Sequence, residues 1–180
     1  MRGLGPDYKD TEATTTNDFV RLPAGGYVCR ILSVENHEDE KPYLRIVYDI
    51  SEGEYRDYYS DEWGTKNEWA HDNRHYYSPK AFGMFKGFLK AIDESNGTNF
   101  EEAAEEGFDE RKLVGLSIGY LIGYDEYIGT NGSINTKPTI RGTRSVATIR
   151  EGRFKVPELK KLETAPKEPE PEPKEYNFPF

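Results

Sequence analysis

A change of hydrophobic period near residue 78 constrains the fold of this chain more than any other feature. In SPKAFGMFKGFLKAIDESNG, Phe82, Phe85, Leu89 and Ile92 recur at helical spacing, which predicts one helix with a single apolar stripe. Ser78 is placed to cap it, Pro79 suits its first turn, and Asn96-Gly97 ends it. On both sides of this segment the apolar residues alternate or form short β-branched blocks. After the turn signal Pro23-Ala24-Gly25-Gly26, YVCRILSV (Tyr27 to Val34) reads as a strand. YLRIVYDI (Tyr43 to Ile50) puts Leu44, Ile46, Tyr48 and Ile50 on one face and Tyr43, Arg45 and Val47 on the other. Glu52-Gly53 then turns into a tyrosine-rich third strand, EYRDYYSDEW (Glu54 to Trp63). After the helix, a shorter acidic helix is expected at Phe100 to Glu106. Two more strands follow, LSIGYLIGYDEY (Leu116 to Tyr127), with Gly119 and Gly123 as bend or bulge points, and PTIRGTRSVATIR (Pro138 to Arg150), joined by a hairpin at Asn131-Gly132. Three strands, a helix and two strands is the element order of a mainly β domain with one or two helices, a five-stranded OB-fold barrel whose helix lies between strands 3 and 4. Other five-stranded α+β arrangements share that count.

The ends differ in composition from the body. ETAPKEPEPEPKEYNFPF (Glu163 to Phe180) carries five glutamates against two lysines and four prolines before Tyr176, so it reads as a disordered, extended acidic tail with an aromatic tip. The polar, β-branched TEATTTND closes a flexible N-terminal arm over residues 1–18, which leaves 19–162 for one ordered domain. Residues 137–161 hold eight cations against two carboxylates, a net +6 in a chain whose net charge is −9. The acidic sum argues against polyanion binding, but a basic strand region beside an acidic tail restores it. The start lacks an apolar signal-peptide core and no apolar run is long enough for a membrane helix, so a cytoplasmic protein without a membrane role is expected. The single cysteine, Cys29, sits in a strand pattern as a small core residue and fits a reducing compartment.

Signs of catalysis are sparse. There is no glycine-rich phosphate loop, nucleophile elbow or CxxC, and no enzyme activity or cofactor is expected. His71 and His75, four apart, would share a helix face, and with Asp72 they give the one conceivable metal set, the basis of an alternative reading as a metal-dependent recombination or nuclease subunit. The stronger signal is aromatic density: Tyr55, Tyr58, Tyr59, Trp63, Trp69, Tyr76 and Tyr77 occupy seven of the 23 positions from 55 to 77. Some must fill the core, and the rest offer faces on which unpaired bases stack. With Arg30, Arg45, Arg74, Lys137, Arg141 and Arg144 as phosphate contacts, they describe a groove for single-stranded DNA without sequence readout. A protein- or RNA-binding scaffold is the remaining alternative.

Several stretches carry a family likeness. The acidic tail ending in Phe-Pro-Phe resembles the Pro-Phe-terminated tip of bacterial single-stranded DNA-binding proteins. The body is similar to the single-stranded DNA-binding proteins of phages and prophages of Gram-positive bacteria, through LPAGGYVCRI (Leu22 to Ile31), YLRIVYDISEGEY (Tyr43 to Tyr55), FKGFLKAIDESN (Phe85 to Asn96), KLVG (Lys112 to Gly115) and, most specifically, RSVATIREGRFKVPELKKL (Arg144 to Leu162). The resemblance implies an OB-fold that coats single-stranded DNA in phage replication, recombination or repair. It also implies that Tyr176, Asn177, Phe178, Pro179 and Phe180 dock replication and recombination proteins. The tail departs from the bacterial tips in reading Asn177-Phe178 where aspartates usually stand. Self-association, as a dimer, is expected from the short site that one barrel offers.

Overall fold

The computed structural model describes residues 21–162; the arm of residues 1–18 and the acidic tail of 163–180, including the Tyr176 to Phe180 tip, lie outside the described residues. Five antiparallel strands form one sheet in the order β3-β2-β1-β4-β5, with β1 Gly25–His37, β2 Tyr43–Ile50, β3 Asp72–Tyr76, β4 Ser117–Ile128 and β5 Ile134–Arg144. The long β1 serves both halves. Its first residues pair with β4, and from Cys29 onward it pairs with β2, with a register shift between Ile31 and Ser33. The main helix, α2 (Phe82–Asn96), falls between the third and fourth strands. Among the described residues β3 and β5 each have a neighbour on one side only, so the curled sheet is not closed by a β3–β5 ladder.

The expected third strand is where sequence and structure part. Residues 54–59 form turns, and the short helix α1 (Glu62–Lys66) follows, capped by Asp61, whose carboxylate accepts from Gly64 N at 2.7 Å. Asp49 causes the difference. Its buried carboxylate accepts from the backbone N–H groups of Ile50 at 2.7 Å and Tyr59 at 3.0 Å, while Asp57 N donates to Ile50 O at 2.8 Å with Asp57 at φ 58°. These bonds fold EYRDYY back on the end of β2 instead of extending it. The third strand is the polar run DNRHY, with His75 inward and Arg74 and Tyr76 outward.

The fifth strand begins earlier than expected and stops at Arg144. Ser145 caps a further helix, α4 (Val146–Arg150), accepting from Thr148 N at 3.4 Å. Residues 151–162 then strap the outer face of the sheet. Phe154 joins Val146 and Ile149 over Val28 and Leu121 in a second, small core, and the backbone of Lys160 pairs in parallel alongside Asp125 of β4, beyond the end of β1. Gly119 and Gly123 are therefore landing sites, not bend points. A methyl at Gly119 would stand 2.5 Å from Ile149 and one at Gly123 2.8 Å from Pro157, and the bulge itself lies at Leu121/Ile122.

Inside the curl, Cys29, Ile31, Ile46, Ile50, Ile118, Tyr120 and Ile122 are sealed by the buried face of α2, Phe88, Leu89, Ala91 and Ile92. Gly97 ends α2 in the left-handed conformation at φ 68°. The N-terminus differs from expectation: Ser78 makes no side-chain cap, Pro79–Ala81 is a 3₁₀ turn, and Phe82 is 56 % exposed instead of buried. The acidic helix α3 is one turn, Phe100–Ala103.

Candidate nucleic-acid interface

The outward residues of β2 and β3 form a row of rings and cations. Tyr43 and Tyr76 are paired across the strands with ring centroids 5.2 Å apart, His37 stacks on Tyr43 at 4.6 Å, and the Arg74 guanidinium lies 5.1 Å from the centre of the Tyr43 ring. Tyr76 beside it holds Arg74 more firmly in its charged form. Further along β2 and β3, Arg45 bridges Asp72 at 2.6 Å, Glu35 at 3.2 Å and Glu68 at 3.2 Å. Glu68 opens the 3₁₀ turn Glu68–Ala70, so this ion-pair cluster anchors the backbone that carries Trp69. Trp69 and Trp63 meet edge to face at 5.9 Å and are 69 % and 47 % exposed.

Arg74 and Tyr76 also line a cleft of about 560 Å³ between the unpaired edges of β3 and β5. Arg141 and Arg144 come from β5, and Lys90 and Glu94 from one flank of α2. Arg144 is exposed, with its guanidinium donating to Thr143 O at 2.7 Å; Arg141 is ion-paired with Asp125. The rings of the sheet face thus open directly onto a cleft whose charged rim is four cations to one carboxylate.

The sequence-derived residues separate into groups. Arg74, Tyr76, Arg141 and Arg144 come together at the cleft, with Trp63 and Trp69 on the adjoining loop. Arg30 is exposed on β1 between Asp49 and Ser117, and Lys137 lies out along the β4–β5 hairpin opposite Asp125. Five of the expected contacts are placed elsewhere or already engaged. Tyr59 is 6 % exposed and stacks on His71 at 4.5 Å in the core. Tyr55 and Tyr58 pack edge-on with Tyr27 and Tyr59 at the mouth of the curl, where the Tyr58 hydroxyl accepts from Leu22 N at 3.2 Å. Tyr77 turns to the other flank of α2, packing on Phe85 at 5.4 Å and donating to Asn36 Oδ1 at 2.7 Å. Arg45 is satisfied by three carboxylates, which raise its already high pKa, Asp72 most of all, and leave no fork for phosphate. The structure adds Tyr43 and His37 to the sheet face and Lys90 to the cleft. The alternation of β2 had already put Tyr43 outward; Lys90 is invisible until β5 is brought beside α2.

His71 lies just before β3 and His75 within it, not on a helix, and both are hydrogen-bonded in the core. His71 Nδ1 meets Tyr48 O and Nε2 meets Gly64 O at 3.2 Å, while His75 Nε2 meets the Tyr120 hydroxyl at 3.0 Å and Asn73 at 3.1 Å. Burial pushes the His75 pKa down to about 3, so it is neutral at physiological pH and stacks on Phe88 at 3.7 Å. Asp72 faces outward to Arg45, so the three residues do not converge, and no group of three metal-ligating side chains occurs among the described residues. Compared with known proteins, the chain matches no family model and no curated sequence.

Proposed function

We propose that this chain is a non-enzymatic single-stranded DNA-binding protein built on an OB-type barrel. The observation that carries the reading is the continuity between stacking rings and phosphate-ready cations: Tyr43 and Tyr76 beside Arg74, at the entrance to a cleft with Lys90 and Arg144. Rings separated from cations would serve equally well for protein contacts. Rings next to cations suit a polymer with flat faces and a charged backbone. Duplex DNA hides its base faces and gains little from such a platform. The strand order, with β1 shared between two halves and a helix between the third and fourth strands, supports the partly open Greek-key barrel. The resemblance to phage and prophage proteins supports the same biology, DNA coating during replication, recombination or repair. The likeness of the tail to bacterial Pro-Phe tips supports docking of partner proteins by the Tyr176 to Phe180 tip, and the short site that one barrel offers is the ground for self-association as a dimer.

The test is a fluorescence titration with oligo-dT, following Trp63 and Trp69, against duplex and RNA of matched length. Saturable quenching is expected, with log affinity falling against log salt by about 0.7 for each phosphate engaged. A titration without quenching at low salt, or duplex binding as tight as single strand, rejects the reading. Tighter binding of the RNA would move it to the RNA scaffold.

A further inference from the structure

The flank of α2 opposite the basic cleft carries a second, preformed groove of the opposite sign. Phe82, Phe85 and Leu89, spaced one helical face apart, form one wall, and Tyr77 and Ala104 are also in contact with this hollow of about 830 Å³. The far rim is Glu101, Glu102 and Glu105, from α3 and the turn after it. A smaller hollow of about 250 Å³ shares Tyr77, Phe85 and Ala104 with it and adds Glu38 and Glu110. Lys86, the one cation lining either hollow, is ion-paired with Glu101 at 2.7 Å. The walls are fixed before any ligand arrives. Asp93 near the end of α2 accepts from Phe100 N at 2.8 Å and Thr98 Oγ1 at 2.6 Å through one oxygen, and from Glu101 N at 2.8 Å through the other; Phe100 then packs on Phe108 at 5.0 Å.

Phe82 fits the apolar stripe of α2 yet leaves its ring 56 % exposed at the edge of this groove. We propose that the α2–α3 groove is a protein-docking site for a basic amphipathic segment, whose apolar residues fill the space along Phe82, Phe85 and Leu89 and whose lysines or arginines meet Glu101, Glu102 and Glu105. Charge decides the occupant. A polyanion is repelled by a rim of carboxylates, so nucleic acid is kept to the other flank of the helix. The chain's own segment from Glu163 to Phe180, with five glutamates and two lysines, is repelled for the same reason. An apolar stripe edged with cations satisfies both the groove and its rim. One helix thereby divides two interactions, and the partner can be held while DNA occupies the cleft.

The experiment uses the full chain and a fluorescein-labelled helical peptide with leucines at i, i+3, i+4 and i+7 flanked by lysines and arginines. A scrambled peptide of identical composition and a version with glutamates replacing the cations serve as comparisons. The patterned basic peptide is expected to saturate. Phe82→Ser should weaken it about tenfold, the loss typical of a central apolar anchor. Glu102→Lys with Glu105→Lys should weaken it similarly and strengthen the acidic version, while oligo-dT affinity in both variants is unchanged or, for the charge reversal, modestly raised. Equal binding of the scrambled peptide, no binding at all, or indifference to these substitutions overturns the proposal. So does a dimer that Phe82→Ser disperses, which would assign the groove to a second copy, or displacement of the peptide by a synthetic copy of residues 163–180.

Discussion

Tyr59 and Trp69 stand ten residues apart in the same aromatic-rich stretch, yet one is 6 % exposed and the other 69 %. Tyr59 is drawn inward because Asp49 captures its backbone N–H and His71 offers it a parallel face. Trp69 sits in a 3₁₀ turn held from the sheet side by the Glu68–Arg45 pair, so its backbone is anchored while its ring remains outside. Ring type does not separate the two. The backbone and carboxylate anchors do, and they divide the aromatics into a set that builds the domain and a set available to a ligand.

The sharpest way to break this division is to remove a ring from each set and measure both stability and binding. Phe88→Ala, in the fully buried set, should cost ~3–5 kcal/mol in denaturant unfolding, because the cavity lies beneath a packed helix. Trp69→Ala should leave the unfolding midpoint within experimental scatter while lowering oligo-dT affinity by ~1–3 kcal/mol, with Tyr76→Ala close behind. A destabilised Trp69 variant with intact DNA binding would erase the distinction.

Acid sharpens it from the interior side. His75 is held at about 3 when folded against an ordinary value of 6.5, so the unfolded chain binds the extra proton. Stability that is complete above 6.5 should be lost progressively as pH falls towards 3, on the order of 1–2 kcal/mol by pH 5. Asp49, whose pKa burial raises, acts in the opposite sense, so the comparison is between the intact chain and His75→Gln, whose melting temperature should fall less steeply over that window. The smallest expected change is in salt dependence: Arg144→Gln should reduce the slope of log affinity against log salt by about 0.7, without altering the melt. Arg45→Gln, by contrast, should act on stability through the carboxylates it leaves unpaired.

Much of the sheet was legible because β1, β2 and β4 are apolar, β-branched blocks bounded by turn signals and because α2 breaks that pattern so clearly. The third strand was not, and the reason is physical. EYRDYYSDEW has strand composition, but Asp49 lies outside it and decides its path. DNRHY looks like a loop, since its inward residue is a histidine. That histidine becomes a core residue only because the Tyr120 hydroxyl, 45 positions away in sequence, meets its ring nitrogen. The site was legible as a composition of rings and cations, not as a set of partners. Arg45 and Arg74 look alike in sequence and sit opposite each other in register, yet three carboxylates surround the first and a tyrosine the second. Likewise the block RSVATIREGRFKVPELKKL reads as strand and basic run, whereas its Val146, Ile149 and Phe154 seal the outer side of the sheet.

The unpaired borders of β3 and β5 would ordinarily invite a neighbouring molecule to add a strand there. Arg74 on one border, and Lys137, Pro138, Arg141 and Arg144 on the other, make such stacking of copies unfavourable through mutual repulsion and a missing amide hydrogen. Protection of these borders and the proposed capture of a ligand therefore rest on the same handful of side chains. Stripping those charges to abolish binding would also unguard the borders, and the resulting loss of function would show up as turbidity as well as weak titration.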